Sequence, residues 1–403
     1  MSDKAATATS PTCSGSPGEV FRLALKLGLT SFGGPIAHLG YYERTYVRER
    51  RWLSSEQYGA LVSLCQLLPG PTSSQVGFLV GLHRAGWLGA LAAWTGFTLP
   101  SALLMYAFAL WAPSAPESMQ AVLHGLMLTA VVVVAQAVWS MSRTLCPDLP
   151  RRLIALAACV FLLFQHSGAA QLATLAGGAI AGAIACRSVV RPSSEVSVRP
   201  HARAAWTALA IFATLLVGLP TIAHFAPRGP VALASIFYRS GAFVFGGGHV
   251  VLPLLQQALV PAGWVSNDRF LSGYGFAQAM PGPLFTFGAY LGAVSAPLHE
   301  SLSWALLALT AIFLPGLLLA VTGLSLWSRL TNARPAYAIL GGINAAVVGL
   351  LGAALYNPVW IAAVRSVVDV LIVLVGFVVL QRYKSPPILI AALCVSASLV
   401  RSI

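Results

Sequence analysis

Apolar residues fill the chain in long blocks separated by short polar stretches. Thirteen blocks can be drawn, near 20–40, 58–82, 86–112, 119–141, 152–165, 169–186, 205–224, 231–257, 269–295, 302–327, 337–356, 359–381 and 386–402. Most reach the roughly 20 residues with which a helix crosses a bilayer, and 152–165 is the short one. Four blocks are interrupted by glycine and proline, the residues least suited to a helix interior. TSFGGPIAHLG at 30–40 answers to FVFGGGHVVLPLL at 243–255, with Phe245-Gly246-Gly247 falling 213 positions after Phe32-Gly33-Gly34. Leu68-Pro69-Gly70-Pro71-Thr72 answers to Met280-Pro281-Gly282-Pro283-Leu284, each preceded by a glutamine (Gln66, Gln278) and followed by a hydroxyl residue (Ser74, Thr286).

The correspondence continues more thinly, Pro100 with Pro315 and His124-Gly125 with Gly341-Gly342, which pairs the first six blocks with the last six. The unmatched block, 205–224, follows the basic stretch 187–203. One extra crossing between two six-block repeats would insert the second repeat upside down, the architecture of many secondary transporters. The expected fold is therefore all-α and polytopic, with two inverted repeats and broken or re-entrant helices at the FGG and PGP motifs. The expected division is a disordered tail at 1–18, a first repeat at 19–186, a linker plus extra helix at 187–230 and a second repeat at 231–403.

Composition agrees with this. Hydrophobic residues make up 57% of the chain and charged residues 9%, against roughly 25% charged in a soluble domain. The net charge of +13 is spread between apolar blocks rather than gathered on a polar domain, so it points to cytoplasmic loops and not to nucleic acid. With the N-terminus cytoplasmic, Arg84, Arg143, Arg151, Arg152, Arg187, Arg191, Arg199, Arg203 and Arg269 are counted inside, and Arg228, Arg365 and Arg401 outside. The exception is 41–57, YYERTYVRERRWLSSEQ, which plain alternation places outside. It moves inside if 20–40 and 58–82 are re-entrant hairpins, each half needing about ten helical residues for half of a ~30 Å core.

Candidate chemistry collects at the breaks. Arg22, Lys26 and Thr30 share a helical face that leads into Ser31 and Gly33-Gly34. Arg239 stands at the position of Lys26 in the second repeat. A cation inside an apolar block is costly and points to function, though Arg22 and Lys26 could also snorkel to the interface. Glycine-rich breaks expose backbone N–H groups at the start of the next half-helix, where the dipole favours an anion. Gly33, Gly34, Gly246, Gly247 and Gly248 are thus a candidate anion cradle, with Thr72, Ser73, Ser74 and Thr286 as neutral donors. His38 and His249 lie just past the breaks and could titrate during turnover, with a packed or interfacial role the favoured reading for each. Gly177, Gly178 and Gly182 read as packing glycines.

Other classes lack support. There is no phosphate-binding loop for ATP, no metal-ligand spacing among eight single histidines, and no CxxC among six isolated cysteines. No carboxylate sits mid-block, and Asp369 is expected to pair with Arg365 four residues before it. No cofactor or metal is expected. A dianion leaving a negative-inside cell gains ~4.6 kcal/mol per 100 mV, so such export needs no coupling ion.

The paired SFGGPIAHLGYYERTYVRERRWL with QLLPGPTSSQVGFLVG, and FVFGGGHVVLPLL with WVSNDRFLSGYGFAQAMPGPLFTFGAYLG, closely resemble the long-chain, two-domain chromate ion transporter family, from Glu19 onward. The resemblance implies a multi-pass protein of the bacterial inner membrane that exports chromate and confers resistance to it. Sulfate is the structural analogue and expected competitor. The bilayer is the expected surrounding, and a second copy in a homodimer is the protein partner considered. Carried onto this chain, the family pattern points to Arg22, Lys26, Gly33, Gly34, Pro35, Glu43, Trp52, Pro69, Gly70 and Pro71. In the second half it points to Gly246, Gly247, Gly248, His249, Trp264, Pro281, Gly282 and Pro283. Glu43, Trp52, Gln66, Trp264 and Gln278 are assigned structural or gating roles. Gly248 stands where the first repeat has Pro35, and Leu284 where it has Thr72, so the first half is expected to carry more of the binding. The rival readings are a transporter of sulfate or another small anion, an intramembrane redox enzyme, and a membrane scaffold.

Overall fold

The computed structural model describes residues 15–112, 119–165, 167–186, 202–297, 299–332, 334–383 and 385–402. Among these residues every regular element is a helix, and six helices are long and apolar enough to cross a membrane. The chain is an all-α polytopic membrane protein.

The first repeat opens with two broken helices. Helix α1 (Pro17–Thr30) starts at Ser16, whose hydroxyl accepts the Glu19 N–H, with proline at the first helical position. It stops because Gly33 and Gly34 take φ of 99° and 78°, a region that only glycine enters readily. Helix α2 (Gly34–Tyr42) then runs into a π-helical turn at Glu43–Glu49. Helix α3 (Ser55–Leu67) begins with a capping box between Ser54 and Gln57 and ends at the proline-flanked Gly70, with φ 123°. Helix α4 (Thr72–Trp111) is kinked at Ala85 and Gly86, which have non-helical dihedrals, so its first part is another half-helix. Helices α5 (Gln120–Leu145), α6 (Leu149–Phe164) and α7 (Gly168–Ala185) complete the repeat, and α8 (Ala202–Ala223) follows.

The second repeat reproduces this order. Helix α9 (Pro230–Ala242) breaks before a short turn at Gly248–Val250 and α10 (Val251–Leu259). Helix α11 (Asn267–Ala279) breaks before a turn at Leu284–Thr286 and α12 (Phe287–Val294). Helices α13 (Ser301–Asn332), α14 (Arg334–Ala354), the short α15 (Ile361–Ala363), α16 (Val367–Tyr383) and α17 (Pro387–Ser402) close the chain.

Contacts at the helix ends establish the hairpins. Arg84, at the α4 kink, pairs with Glu19 of α1 at 3.3 Å and lies 5.0 Å over the Trp52 ring from the loop before α3. The start of α1, the loop 43–54 and the end of the first part of α4 therefore meet at one end of the molecule. Each broken pair returns to the side it left, and the arginines of 41–57 lie with the start of α1. In the second repeat Trp264, before α11, contacts Trp304 at 5.9 Å, and Trp304 Nε1 donates to Glu300 before α13. Tyr106, near the far end of α4 from Arg84, reaches Ser301 Oγ at 3.0 Å.

Two expectations are corrected at that far end. Plain spans put Arg269 opposite Arg365, but the adjacent Asp268 pairs with the Arg365 guanidinium at 3.3 Å, because α9–α10 is itself a returning hairpin. Nor is Asp369 held by the Arg365 side chain. The Arg365 backbone N–H donates to Asp369 at 3.0 Å, while its carboxylate receives Arg401 at 2.8 Å and His124 at 3.1 Å. Asp369 sits in the first turn of α16, where the end of α17 and the start of α5 close over it.

The repeats are interlocked. Helix α1 packs along α4 and α9 along α13, whereas α5 packs on α16 and α17, and α14 on α6 and α7. Gly178 and Gly182 face Gly342 so closely that a side chain on any of the three would strike the opposing backbone or side chain. This is the packing role read for two of these glycines. Gly177 has open space around it.

Candidate functional site

All four breaks converge on one centre, joined by a reciprocal pair of hydrogen bonds. The Gly70 N–H of the first PGP motif donates to the Val244 carbonyl before the second FGG motif, at 2.8 Å. The Gly282 N–H of the second PGP motif donates to the Ser31 carbonyl before the first FGG motif, at 3.0 Å. Both donors have φ above 90°, so glycine is what allows the crossing. A Cβ at Gly248 would lie 3.7 Å from both Pro35 and Leu284, which puts the two FGG breaks against each other. Gln75 fixes the first PGP tip, its Nε2 donating to the carbonyls of Pro69 and of Gly316 on α13, each at 2.9 Å.

The first-repeat side of this centre is polar and incompletely satisfied. The first N–H groups of α2 and α4 have no helical partner and carry the positive end of the helix dipole. Pro71 precedes α4 without giving it a side-chain cap. Ser31 and Ser74 are buried, and neither hydroxyl has a partner among the described residues; the Oε1 of Gln75 is likewise buried and unpartnered among them. Such groups cost roughly 1–3 kcal/mol each when left unpaired. His38, also buried, brings the two motifs together, with Nε2 3.2 Å from the Ser31 carbonyl and Nδ1 3.4 Å from Ser73 Oγ.

The second-repeat side differs. Gly248 and Leu284 replace proline and threonine, and the Thr286 hydroxyl is taken by the Pro283 carbonyl at 2.8 Å. His249 Nδ1 lies 3.0 Å from the Tyr274 hydroxyl and 3.5 Å from Gln278 Nε2. Those two groups donate, so the His249 proton resides on Nε2. Gly246 faces Asn344, Leu145 and Met141.

The other sequence-derived candidates are placed as follows. Arg22, Lys26 and Thr30 lie together on an exposed face of α1, and Arg239 holds the equivalent exposed place on α9. Arg22 bonds back to the Gly18 carbonyl, and Lys26 and Arg239 have no ion pair among the described residues. Gln66 is exposed at the end of α3. Glu43 pairs with Arg48 at 2.9 Å, Trp52 stacks on Tyr46 and Trp264 meets Trp304, so these three lie at hairpin mouths. Pro281 lines an apolar cleft of about 710 Å³ with Phe32, Phe108, Phe276 and Met280. Among the described residues, no three His, Cys, Asp or Glu side chains gather as metal ligands would.

Sequence reasoning left out Gln75, Ser101 (which faces Gly282) and Asn344, and favoured a packed or interfacial role for His38 over a titrating one. His38 and Asn344 are single polar residues in apolar stretches, and that isolation was the available sign; Gln75 follows Thr72-Ser73-Ser74 and had none.

Duplicated broken helices meeting tip to tip inside a polytopic bundle define a membrane-transporter architecture. The family model described as chromate transporter matches residues 18–183 and again 231–399, and the chain belongs to that family. It is 26% identical to a chromate transport protein of Pseudomonas aeruginosa, over 86% of this chain and 82% of the relative. It is 27% identical to a chromate transport protein of Cupriavidus metallidurans, over 91% and 89% respectively. An uncharacterized transporter of Methanocaldococcus jannaschii is 23% identical over 82% of each chain. No solved structure matches the chain.

Proposed function

We propose that the protein is a secondary transporter that moves chromate, a tetrahedral divalent oxyanion, out of the bacterial cytoplasm across the inner membrane, and so confers chromate resistance. The observation that carries the reading is the centre itself: two half-helix starts and the buried hydroxyls of Ser31 and Ser74, unpartnered among the described residues, lie at the crossed breaks. Neutral donors and helix dipoles suit a small oxyanion. The unpaired, exposed Lys26 and Arg239 then serve as cations of two vestibules leading to it, since an unpaired cation is tolerated where it meets water.

The end contacts support an inverted relation of the repeats, the mouths of the two hairpin sets lying at opposite ends of the part of α4 that follows its kink. With the N-terminus cytoplasmic, the arginine-rich loop 41–57 is inside. Membrane potential supplies the driving force, and sulfate competes for the site. The family relation favours transport over catalysis.

Uptake of labelled chromate into everted membrane vesicles tests this. Ser74→Ala removes one donor to a charged ligand, worth ~1.5–3 kcal/mol, so the half-saturating chromate concentration should rise about tenfold or more in protein that inserts normally. Unchanged uptake would move the site away from the α4 start, and uptake indifferent to potential would remove the energetic reading. The mass of the purified protein by light scattering distinguishes a monomer from a homodimer.

A further inference from the structure

We infer that His38 takes up a proton when the anion binds, and that this proton switches the Ser73 hydroxyl from donating to His38 to donating to the substrate oxyanion. This rests on the reading of the centre as an oxyanion site and adds the identity of a co-bound ion.

The geometry fixes the chemistry. A carbonyl oxygen can only accept, so the Ser31 carbonyl, 3.2 Å away, holds the ring hydrogen on Nε2. In the neutral ring Nδ1 is then a lone pair, and Ser73, 3.4 Å away, must donate to it. The Ser73 proton is thereby occupied and unavailable to a ligand. A proton taken from water onto Nδ1 reverses that bond: Nδ1–H donates to a lone pair of Ser73 Oγ, and the Ser73 proton turns away about the Cβ–Oγ bond. One N–H bond forms and nothing in the substrate breaks. Ser73 stands in the first turn of α4, next to the unpartnered Ser74 hydroxyl, so its released proton joins the donors of the proposed site.

Electrostatics tie the two events together. A buried imidazolium without a counter-charge is unfavourable, and so is a dianion met only by neutral donors. Each relieves the other, and by linkage the proton and the anion raise each other's affinity by the same factor. Helix α2 packs on α4 and on the π-helical turn that follows it. From α4, His38 is faced by Phe97, whose ring also contacts Tyr42 of α2, while Tyr58 donates to the neighbouring Leu39 carbonyl. The charged and titratable groups of the packed elements, Glu43, Arg44, Arg48, Glu49, His83 and Arg84, are grouped at the mouth, and Lys26 is on the exposed face of α1. The substrate is thus the counter-ion the ring lacks.

The same carbonyl links the proton to the repeat interface, because Ser31 also receives the Gly282 N–H from the second repeat. The device is confined to one half, since the equivalent position in the second repeat is Val251. A dianion that carries one proton moves one net charge, so potential drives it with ~2.3 kcal/mol per 100 mV.

Calorimetric titration of the purified full-length protein with chromate, in two buffers of different protonation enthalpy, counts the protons taken up. The comparison between variants cancels the anion's own proton chemistry. Wild type should take up close to one proton more per chromate than His38→Gln, and its affinity should strengthen by up to tenfold per pH unit on acidification relative to that variant. Ser73→Ala should lose most of the proton uptake and of the pH-dependent affinity gain together, as linkage requires, and Ser73→Thr should restore both. These two keep the test alive if His38→Gln fails to fold. Equal proton uptake in wild type and His38→Gln, or an unaltered pH profile in Ser73→Ala, overturns the inference while chromate binding still stands. Folded wild type that binds no chromate removes the site reading and this inference with it.

Discussion

Valine at position 70 will prevent the protein from assembling. Gly70 has φ of 123°, and a Cβ there would lie 2.8 Å from the Gly316 Cα, a backbone atom that cannot move aside. Backbone strain costs about 1–3 kcal/mol, overpacking a further ~1–3 kcal/mol, and displacement of the bond to the Val244 carbonyl about 1 kcal/mol. The total is a large part of the ~5–15 kcal/mol that holds a typical fold. Gly34→Ala provides the contrast: its φ is 78°, but a Cβ meets nothing within 4 Å, so a cost of only ~1–2 kcal/mol is expected. Size-exclusion profiles of detergent extracts check both. Gly70→Val should give aggregate or no protein, and Gly34→Ala a monodisperse peak. A monodisperse Gly70→Val would mean that the crossed hydrogen bonds do not hold the centre.

Asp369→Ala should be the most destabilising change away from the centre. The Asp369 side chain is 1% exposed and receives Arg401, His124, Ser366 and the Arg365 N–H. Truncating one partner of such a buried group leaves the others uncompensated, at ~3–5 kcal/mol. Asp369→Asn keeps an acceptor for Ser366 and the Arg365 N–H and should lose less. Thermal unfolding of the purified variants orders them, wild type above Asn above Ala. Chromate affinity per folded molecule should be unchanged in both, because the cluster lies at the far end of α5 from the crossed breaks. An Asp369→Ala protein as stable as wild type would make the cluster a surface ornament.

What the sequence disclosed follows from what is rare in lipid. Glycine and proline inside an apolar run have few uses there, so the FGG and PGP motifs were legible as breaks, and their repetition as duplication. The arginines of 41–57 were legible as a topological exception whose resolution, returning hairpins, is the one the Arg84–Glu19 and Arg84–Trp52 contacts display. Contacts that depend on the other repeat left no local trace. Gln75 looks like one polar residue among many until α13 brings the Gly316 carbonyl to it. The i, i+4 spacing favoured Arg365 for Asp369, whereas the guanidinium that reaches the carboxylate, Arg401, arrives from the last helix. Lys26 and Arg239 were visible as equivalent cations, but spacing alone does not reveal that both turn outward.

The exchange of α5 and α14 between repeats bears on how the protein is made. Leu128, Ala130, Val131, Val132 and Val134 of α5 are fully buried, and α5 packs on α11, α14, α16 and α17 of the second repeat, the last two being the last helices to leave the ribosome. Until α11 and α14 and then these last helices are made, lipid covers this face of α5, and α6 and α7 wait in the same way for α14. Contacts this distant in sequence are slow to form, so the first repeat must persist in the membrane as an unfinished intermediate through most of synthesis. Its composition suits that interval, because the side chains left waiting are aliphatic and lipid is as good a solvent for them as the missing helices.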